Sequence, residues 1–125
     1  MIEYNDENIK YNYEINIFLD DIRKCPVNFI LAKTKFICAN LLDNNKTNIL
    51  SLDHDLGDIS CGNGYDVAIH IVEMQEINNI NIWPKEIFIH TDNPVGRNNM
   101  YKLLTRYAPD EILIHHYPLE WGELK

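Results

Sequence analysis

Alternation is the first pattern along this chain. Tyr11, Tyr13, Ile15, Ile17 and Leu19 are apolar at every second position, which predicts a strand from Ile15 at the latest, running into the pair Asp20-Asp21. The residues ahead of it are polar, so 1–14 read as an N-terminal arm or an extra strand. Phe29-Ile30-Leu31-Ala32 is a second candidate strand. Thr34 can cap a helix over residues 35–43, with Ile37, Cys38, Leu41 and Leu42 on its inner face. Asp43-Asn44-Asn45-Lys46 breaks that helix, and the apolar Ile49, Leu50 and Leu52 predict a third strand over 49–53. A loop over 57–63 leads into a helix over about 65–75, with Val67, Ile71 and Met74 spaced for burial. Residues 78–84 connect it to a fourth strand over 86–90, and Pro84 cannot continue a helix. Asn93-Pro94 marks the next helix, with Asn as N-cap and Pro at the first helical position. It runs to about Tyr107 and buries Met100, Leu103, Leu104 and Tyr107; a last strand covers 112–114, and Trp121 packs back on the body.

Strands that alternate with helices imply a single domain over 1–125. Its fold class is α/β: a doubly wound, mostly parallel sheet of about five strands. One step breaks the repeat. Only residues 22–28 separate Asp21 from Phe29, and a parallel crossover usually takes a dozen or more. Either the first helix is lost and a bare loop crosses over, or the second strand runs antiparallel; the pattern leaves both open.

Composition narrows the partners. The apolar fraction of 46 % supports a sizeable core. Eleven Lys and Arg against nineteen Asp and Glu give a formal charge of −8, which argues against non-specific binding to DNA. A small phosphorylated ligand held by a local site remains compatible. Cys25, Cys38 and Cys61 form no C-x-x-C and read as reduced thiols. No apolar run reaches membrane-spanning length and the N-terminus is polar, so the expected setting is cytoplasmic, with no membrane partner.

The chemistry-bearing residues follow the strands. Asp20, Asp21 and Arg23 come after the first, Asp53 to Asp58 after the third, and His90 to Arg97 after the fourth. In an open α/β sheet, loops at the carboxyl ends of strands share one rim, where ligands bind. Extended geometry would put Asp53 and Asp55 on one side and His54 on the other. Crowded carboxylates resist ionisation unless a cation compensates. Mg²⁺ would suit Asp20 or Asp21 with Asp53, and Mn²⁺ would also tolerate His54 or His90. The alternative is that Arg23 and Arg97 neutralise the acids directly. Asn93-Pro94-Val95-Gly96-Arg97 opens a helix whose free N–H groups and dipole favour an anion, with Gly96 allowing close approach and Arg97 clamping a phosphate. His115 and His116 end the last strand, so one of them can reach the rim or both can be solvated.

Four motifs in order carry a resemblance. They are Leu19-Asp20-Asp21-Ile22-Arg23 with Pro26, Ser51-Leu52-Asp53-His54-Asp55-Leu56-Gly57, Gly64-Tyr65-Asp66, and His90-Thr91-Asp92-Asn93-Pro94-Val95-Gly96-Arg97. Over roughly residues 15–117 the chain resembles the cyclic-phosphate processing receiver-like domains, relatives of response-regulator receivers. The resemblance implies a receiver-like (flavodoxin-like) fold with an acidic metal pocket, and it implies Asp20, Asp21, Arg23, Asp53, His54, Asp55, His90 and Asn93 as pocket residues. An ordinary receiver would share Asp20-Asp21, Asp53 and Thr91, but Tyr117-Pro118 lacks the Lys expected after its fifth strand. The expected function is a metal-dependent phosphoesterase acting on a cyclic or terminal phosphate of a nucleotide or RNA end. In it Asp20, Asp21 and Asp53 would hold Mg²⁺ or Mn²⁺, and His90, His54 and Asp55 would carry catalysis. Arg23, Asn93 and Arg97 would bind phosphate. A non-catalytic sensor of a cyclic nucleotide and a phosphoaccepting receiver are the alternatives.

Overall fold

In the computed structural model, which describes residues 14–118, the first alternating segment forms β1 (Glu14–Leu19). It is followed by β2 (Ile30–Ala32), α1 (Lys35–Asn44) and β3 (Lys46–Leu52). A 3-10 turn (Ile59–Cys61) then precedes α2 (Gly64–Glu76), β4 (Glu86–Ile89), α3 (Pro94–Tyr107) and β5 (Leu113–His115). Tyr11, Tyr13 and Trp121, which the sequence assigned to a strand and to packing, lie outside the described residues. The strands make one sheet in the order β2-β1-β3-β4-β5, and every pair is parallel. This resolves the short connection: β2 runs parallel to β1, and a bare loop makes the crossover where the first helix is missing.

The helices start where their caps allow. Thr34 accepts the Ile37 N–H at the head of α1. Asn63 and Asp66 form a reciprocal capping box at α2, and Asn93 accepts the Gly96 N–H at α3 with Pro94 at the first position. The third strand begins three residues earlier than its apolar run, at Lys46, because its ladder with β1 starts at Glu14. Two inner-face expectations are corrected: Ile37 and Tyr107 are exposed, at the margins of helical faces otherwise buried through Cys38, Leu42, Met100 and Leu104.

Parallel crossovers are right-handed. The steps β2 to β3, β3 to β4 and β4 to β5 all go the same way across the sheet, so α1, α2 and α3 lie on one face. That face holds the core: Ile17, Leu19, Leu50, Leu52, Ile87 and Ile89 from the strands against Cys38, Leu42, Val67, Ile71, Met100 and Leu104. The step from β1 to β2 goes the other way, and its helix would have covered the opposite face. Among the described residues that face carries no helix. Its central row, in register across the strands, is Leu31, Phe18, Ser51, Phe88 and His115. Among the described residues no helix is long and apolar enough to cross a membrane.

Candidate functional site

Register builds the site. Leu19, Leu52 and Ile89 are aligned neighbours at the ends of β1, β3 and β4. The ladder continues one residue further: Asp20 N–H donates to Ala32 O, Asp53 N–H to Leu19 O and His90 N–H to Leu52 O, at 2.9–3.0 Å. Asp20, Asp53 and His90 are therefore held in line, and strand alternation turns all three toward the side of Phe18, Ser51 and Phe88. Their ligand-type atoms lie within 4.8 Å of one another and all three residues are buried.

Each of these groups is engaged. Asp20 Oδ1 accepts the N–H groups of Ile22 and Arg23 at 2.8 and 2.9 Å, an Asx turn that folds the loop after β1 back over the pocket. Asp20 Oδ2 faces Arg23 Nη1 at 3.0 Å and His90 Nε2 at 2.9 Å. Burial alone would raise this carboxyl; hydrogen bonds from His90, from the Arg23 and Ile22 backbones and from the guanidinium outweigh it, so its pKa lies well below the ordinary range. An ionised Asp20 only accepts, so His90 Nε2 carries the proton toward it. In the neutral ring Nδ1 then accepts the Ser51 hydroxyl at 2.6 Å. Phe18 stacks on the His90 ring at 4.5 Å. Asp53 Oδ1 accepts the His54 N–H at 2.8 Å and Oδ2 faces Arg23 Nη1 at 3.2 Å. Burial and the Asp20 charge push the Asp53 carboxyl up, and His90, Thr91 and the His54 N–H offset this only partly. Arg23 also reaches Asp92 at 2.8 Å, and its guanidinium holds its proton more tightly, foremost through Asp20.

The loop after β3 makes a second cluster. The ladder ends at Asp53, so alternation does not carry on to Asp55, which lies outside the Asp20–Asp53–His90 group. Instead Asp55 Oδ1 lies 2.8 Å from His54 Nδ1 and is exposed. An Asp55–Asn63 bridge and a bond from Gly64 N–H to His54 O close the loop. The ring of His54 fills the space beside Gly96, where an added Cβ would sit 2.5 Å from His54 Cγ. Gly96 therefore admits the His54 ring, not a ligand as the sequence suggested.

The remaining expected residues stand as follows. Asp21 is outside the group of Asp20, Asp53 and His90; its side chain lies over Gly57, and Oδ1 is buried without a hydrogen-bond partner among the described residues. Arg97 Nη1 donates to Thr91 O at 3.2 Å and forms no ion pair with an acid among the described residues. Asn93 Oδ1 is used in the cap, and its amide nitrogen lies 3.5 Å from both His54 Nδ1 and Asp55 Oδ2. Pro94 lacks an N–H, and the Asn93 and Gly96 N–H groups are bonded to Thr91 and Asn93, which leaves Val95 as the first-turn donor without a partner among the described residues. His115 turns onto the helix-free face, bonding Glu86 at 2.7 Å, while His116 packs edge-on against Tyr101; neither joins the carboxylate group. Ser51 and Asp92 took no role in the sequence reading. A lone polar residue inside the apolar run 49–52 is the signal that would have marked Ser51. A cleft of about 660 Å³ beside Thr47 and Trp83 lies at the other end of the sheet, and none of the expected site residues lines it.

The two carboxylate oxygens lie close enough to share Mg²⁺ or Mn²⁺, whereas the His90 nitrogen could join a cation only by giving up the proton it directs at Asp20. Both oxygens face Arg23 Nη1, at 3.0 and 3.2 Å, so any cation there would have to displace the guanidinium.

Searches of curated proteins and of solved structures each find no significant match. A family profile, the cyclic-phosphate processing receiver domain, matches residues 15–106, which span β1 through nearly all of α3. With most of its length and every element of the candidate site inside that match, the chain belongs to the cyclic-phosphate processing receiver domain family.

Proposed function

We propose that the protein is a phosphoesterase acting on a cyclic or terminal phosphate of a nucleotide or RNA end. The observation that carries this reading is the His54–Asp55 pair at the mouth of α3. Asp55 fixes the proton on His54 Nδ1, which leaves Nε2 as the lone-pair nitrogen, with no partner among the described residues, on a side chain 19 % exposed. That is the arrangement a general acid–base requires: an oriented ring with one working nitrogen open to a substrate. His90 is the contrasting case, since both its ring nitrogens are engaged and it is 4 % exposed. Its role here is to hold Asp20 and Ser51 in place. Val95 N–H and Arg97 border the same mouth and would receive phosphate oxygens, Arg97 by leaving the Thr91 carbonyl.

Asp20 and Asp53 would hold Mg²⁺ or Mn²⁺ once Arg23 withdraws, with His90 keeping Asp20 oriented, and the cation would supply charge neutralisation beside the phosphate. Arg23, released from the carboxylates, becomes a further phosphate ligand. The family's association with cyclic phosphates supports the substrate class.

The test is turnover of 2′,3′- and 3′,5′-cyclic phosphates with Mg²⁺, Mn²⁺ or chelator, read by chromatography. His54→Gln should abolish product while leaving ligand affinity within about tenfold, roughly 1.4 kcal/mol, because a general acid acts mainly on the transition state. A parent protein that binds these ligands without hydrolysing any of them is a sensor, and the enzyme reading is then wrong.

A further inference from the structure

The end of the sheet opposite the carboxylate pocket holds a cleft of about 660 Å³, within the roughly 300–1,000 Å³ usual for small-ligand sites. Its walls are the end of α1, the start of β3 and the connector between α2 and β4. A bulge turns Thr47 toward it. From Ile15 to Asn16 on β1 the register advances by one residue, while the partner on β3 moves from Thr47 to Ile49. The extra residue, Asn48, is held by Asn16, whose Oδ1 accepts from Asn48 Nδ2 and from the Ile49 N–H, both at 3.2 Å. Strict alternation counted back from buried Leu50 would put Thr47 on the helix-free face. The bulge puts it beside Ile15 instead, on the face that carries the helices.

The connector brings in Trp83. Asn81 Oδ1 accepts the Trp83 backbone N–H at 2.9 Å, and the Lys85 N–H donates to Thr47 O at 3.2 Å, which ties the segment to β3. Thr47 and Trp83 are 6 % and 8 % exposed, and both line the cleft. The Thr47 hydroxyl and the Trp83 indole N–H are buried with no hydrogen-bond partner among the described residues. A buried polar group ordinarily has a partner, because one left without any loses its hydration and gains nothing in return. Leu42, Ile82 and the indole ring make part of the wall apolar. At the exposed edge Glu14 is paired with Lys85 at 2.7 Å, and Asp43 lies 2.8 Å from His70 Nε2. Lys46 lines the same edge and forms no ion pair among the described residues, so an ammonium is the charge left open to a ligand.

We propose that this cleft is a second binding site, for a planar organic anion with ring carbonyl acceptors, the class of uridine 5′-monophosphate. Ring carbonyls would accept the Trp83 indole N–H and the Thr47 hydroxyl, the ring would lie along Leu42 and Ile82, and the anionic group would meet Lys46. A bare inorganic anion would leave the apolar wall wet, and a purely apolar ligand would leave both donors unmet. The cleft shares no residue with the carboxylate pocket, so this inference stands independently of the proposed reaction.

Nuclear magnetic resonance on the full, nitrogen-15-labelled chain tests it through the Trp83 indole N–H signal. That signal is the one lost in Trp83→Phe or, if this variant does not fold, the one kept in Trp121→Phe. Uridine 5′-monophosphate at millimolar concentration should move it downfield and saturably, as the N–H gains an acceptor. Uridine, with the same ring and no phosphate, should bind several-fold more weakly, and inorganic phosphate alone should leave the signal in place. Thr47→Val keeps the side-chain shape and removes the hydroxyl, and it should weaken both nucleoside ligands several-fold. Lys46→Met should weaken the monophosphate to the level of uridine. A signal that uridine 5′-monophosphate does not move assigns the two buried groups to bound water and overturns the proposal. Movement by phosphate alone overturns it as well, as does an affinity indifferent to both Thr47→Val and Lys46→Met, because the ligand then binds elsewhere.

Discussion

Arg23→Met tests whether the guanidinium is what allows Asp20 and Asp53 to be buried side by side. Methionine keeps an apolar stem of similar length and removes the charge. The variant loses contacts at 3.0 Å to Asp20, 3.2 Å to Asp53 and 2.8 Å to Asp92. Asp92 is almost fully exposed, so its pair contributes at most about 1 kcal/mol. Stripping a partner from a buried charge costs roughly 3–5 kcal/mol. Arg23 is itself 36 % exposed, and Asp20 keeps His90 and two backbone donors. Water and those donors lower the expected cost to about 2–3 kcal/mol, equivalent to a melting point lower by roughly 5–20 °C. Urea denaturation at neutral pH measures it. The sign of the pH dependence follows from Asp20. Its depressed folded pKa contributes stability above the ordinary carboxylate range, and this is lost as pH falls toward the folded value. The variant, with less depression, should lose less on acidification. Mg²⁺ or Mn²⁺ should stabilise Arg23→Met more than the parent, because cation and guanidinium compete for the same oxygens. A variant within about 0.5 kcal/mol of the parent, with no added response to either metal, would refute the reasoning, since surface substitutions commonly fall in that range.

Asp53→Asn should raise stability at neutral pH, because the folded carboxyl is pushed up by burial and by Asp20; the gain should fade as pH drops through the ordinary carboxylate range. The same variant should lose any stabilisation by divalent cations, which thermal melts with and without Mg²⁺ would detect. Gly96→Ala places a Cβ 2.5 Å from His54 Cγ. It should displace that ring and suppress turnover in the cyclic-phosphate assay, while circular dichroism shows the fold retained, helped by up to about 1 kcal/mol of helix propensity. Gly64→Ala would drive its Cβ into the Asp53 carbonyl oxygen, a backbone atom that cannot move aside. Its cost in a denaturation experiment should exceed the roughly 1–3 kcal/mol usual for overpacking.

Local pattern determined the elements and their order. Alternation marked β1, Thr34 and Asn93-Pro94 marked two helix starts, and the acids and His90 following apolar runs marked one edge of the sheet. These signals lie within a few residues of one another, and the backbone obeys them locally. Tertiary structure decided what lies beyond that range. The direction of β2 depended on pairing with β1, which is two-fold ambiguous when the connection is short. The partners of Arg23 and Arg97 depended on which side chain the Asx turn at Asp20 brings over the carboxylates: among the described residues Arg23 reaches three acids, and Arg97 reaches the Thr91 carbonyl. The different surroundings of the two histidines were equally invisible. His90 shares its face with Phe18 and Ser51 through register across three strands, and His54 meets Asp55 because β3 ends one residue before Asp53. Sequence order names the residues at the rim. Only packing between distant strands fixes which of their atoms are spent on one another and which are left open to a ligand.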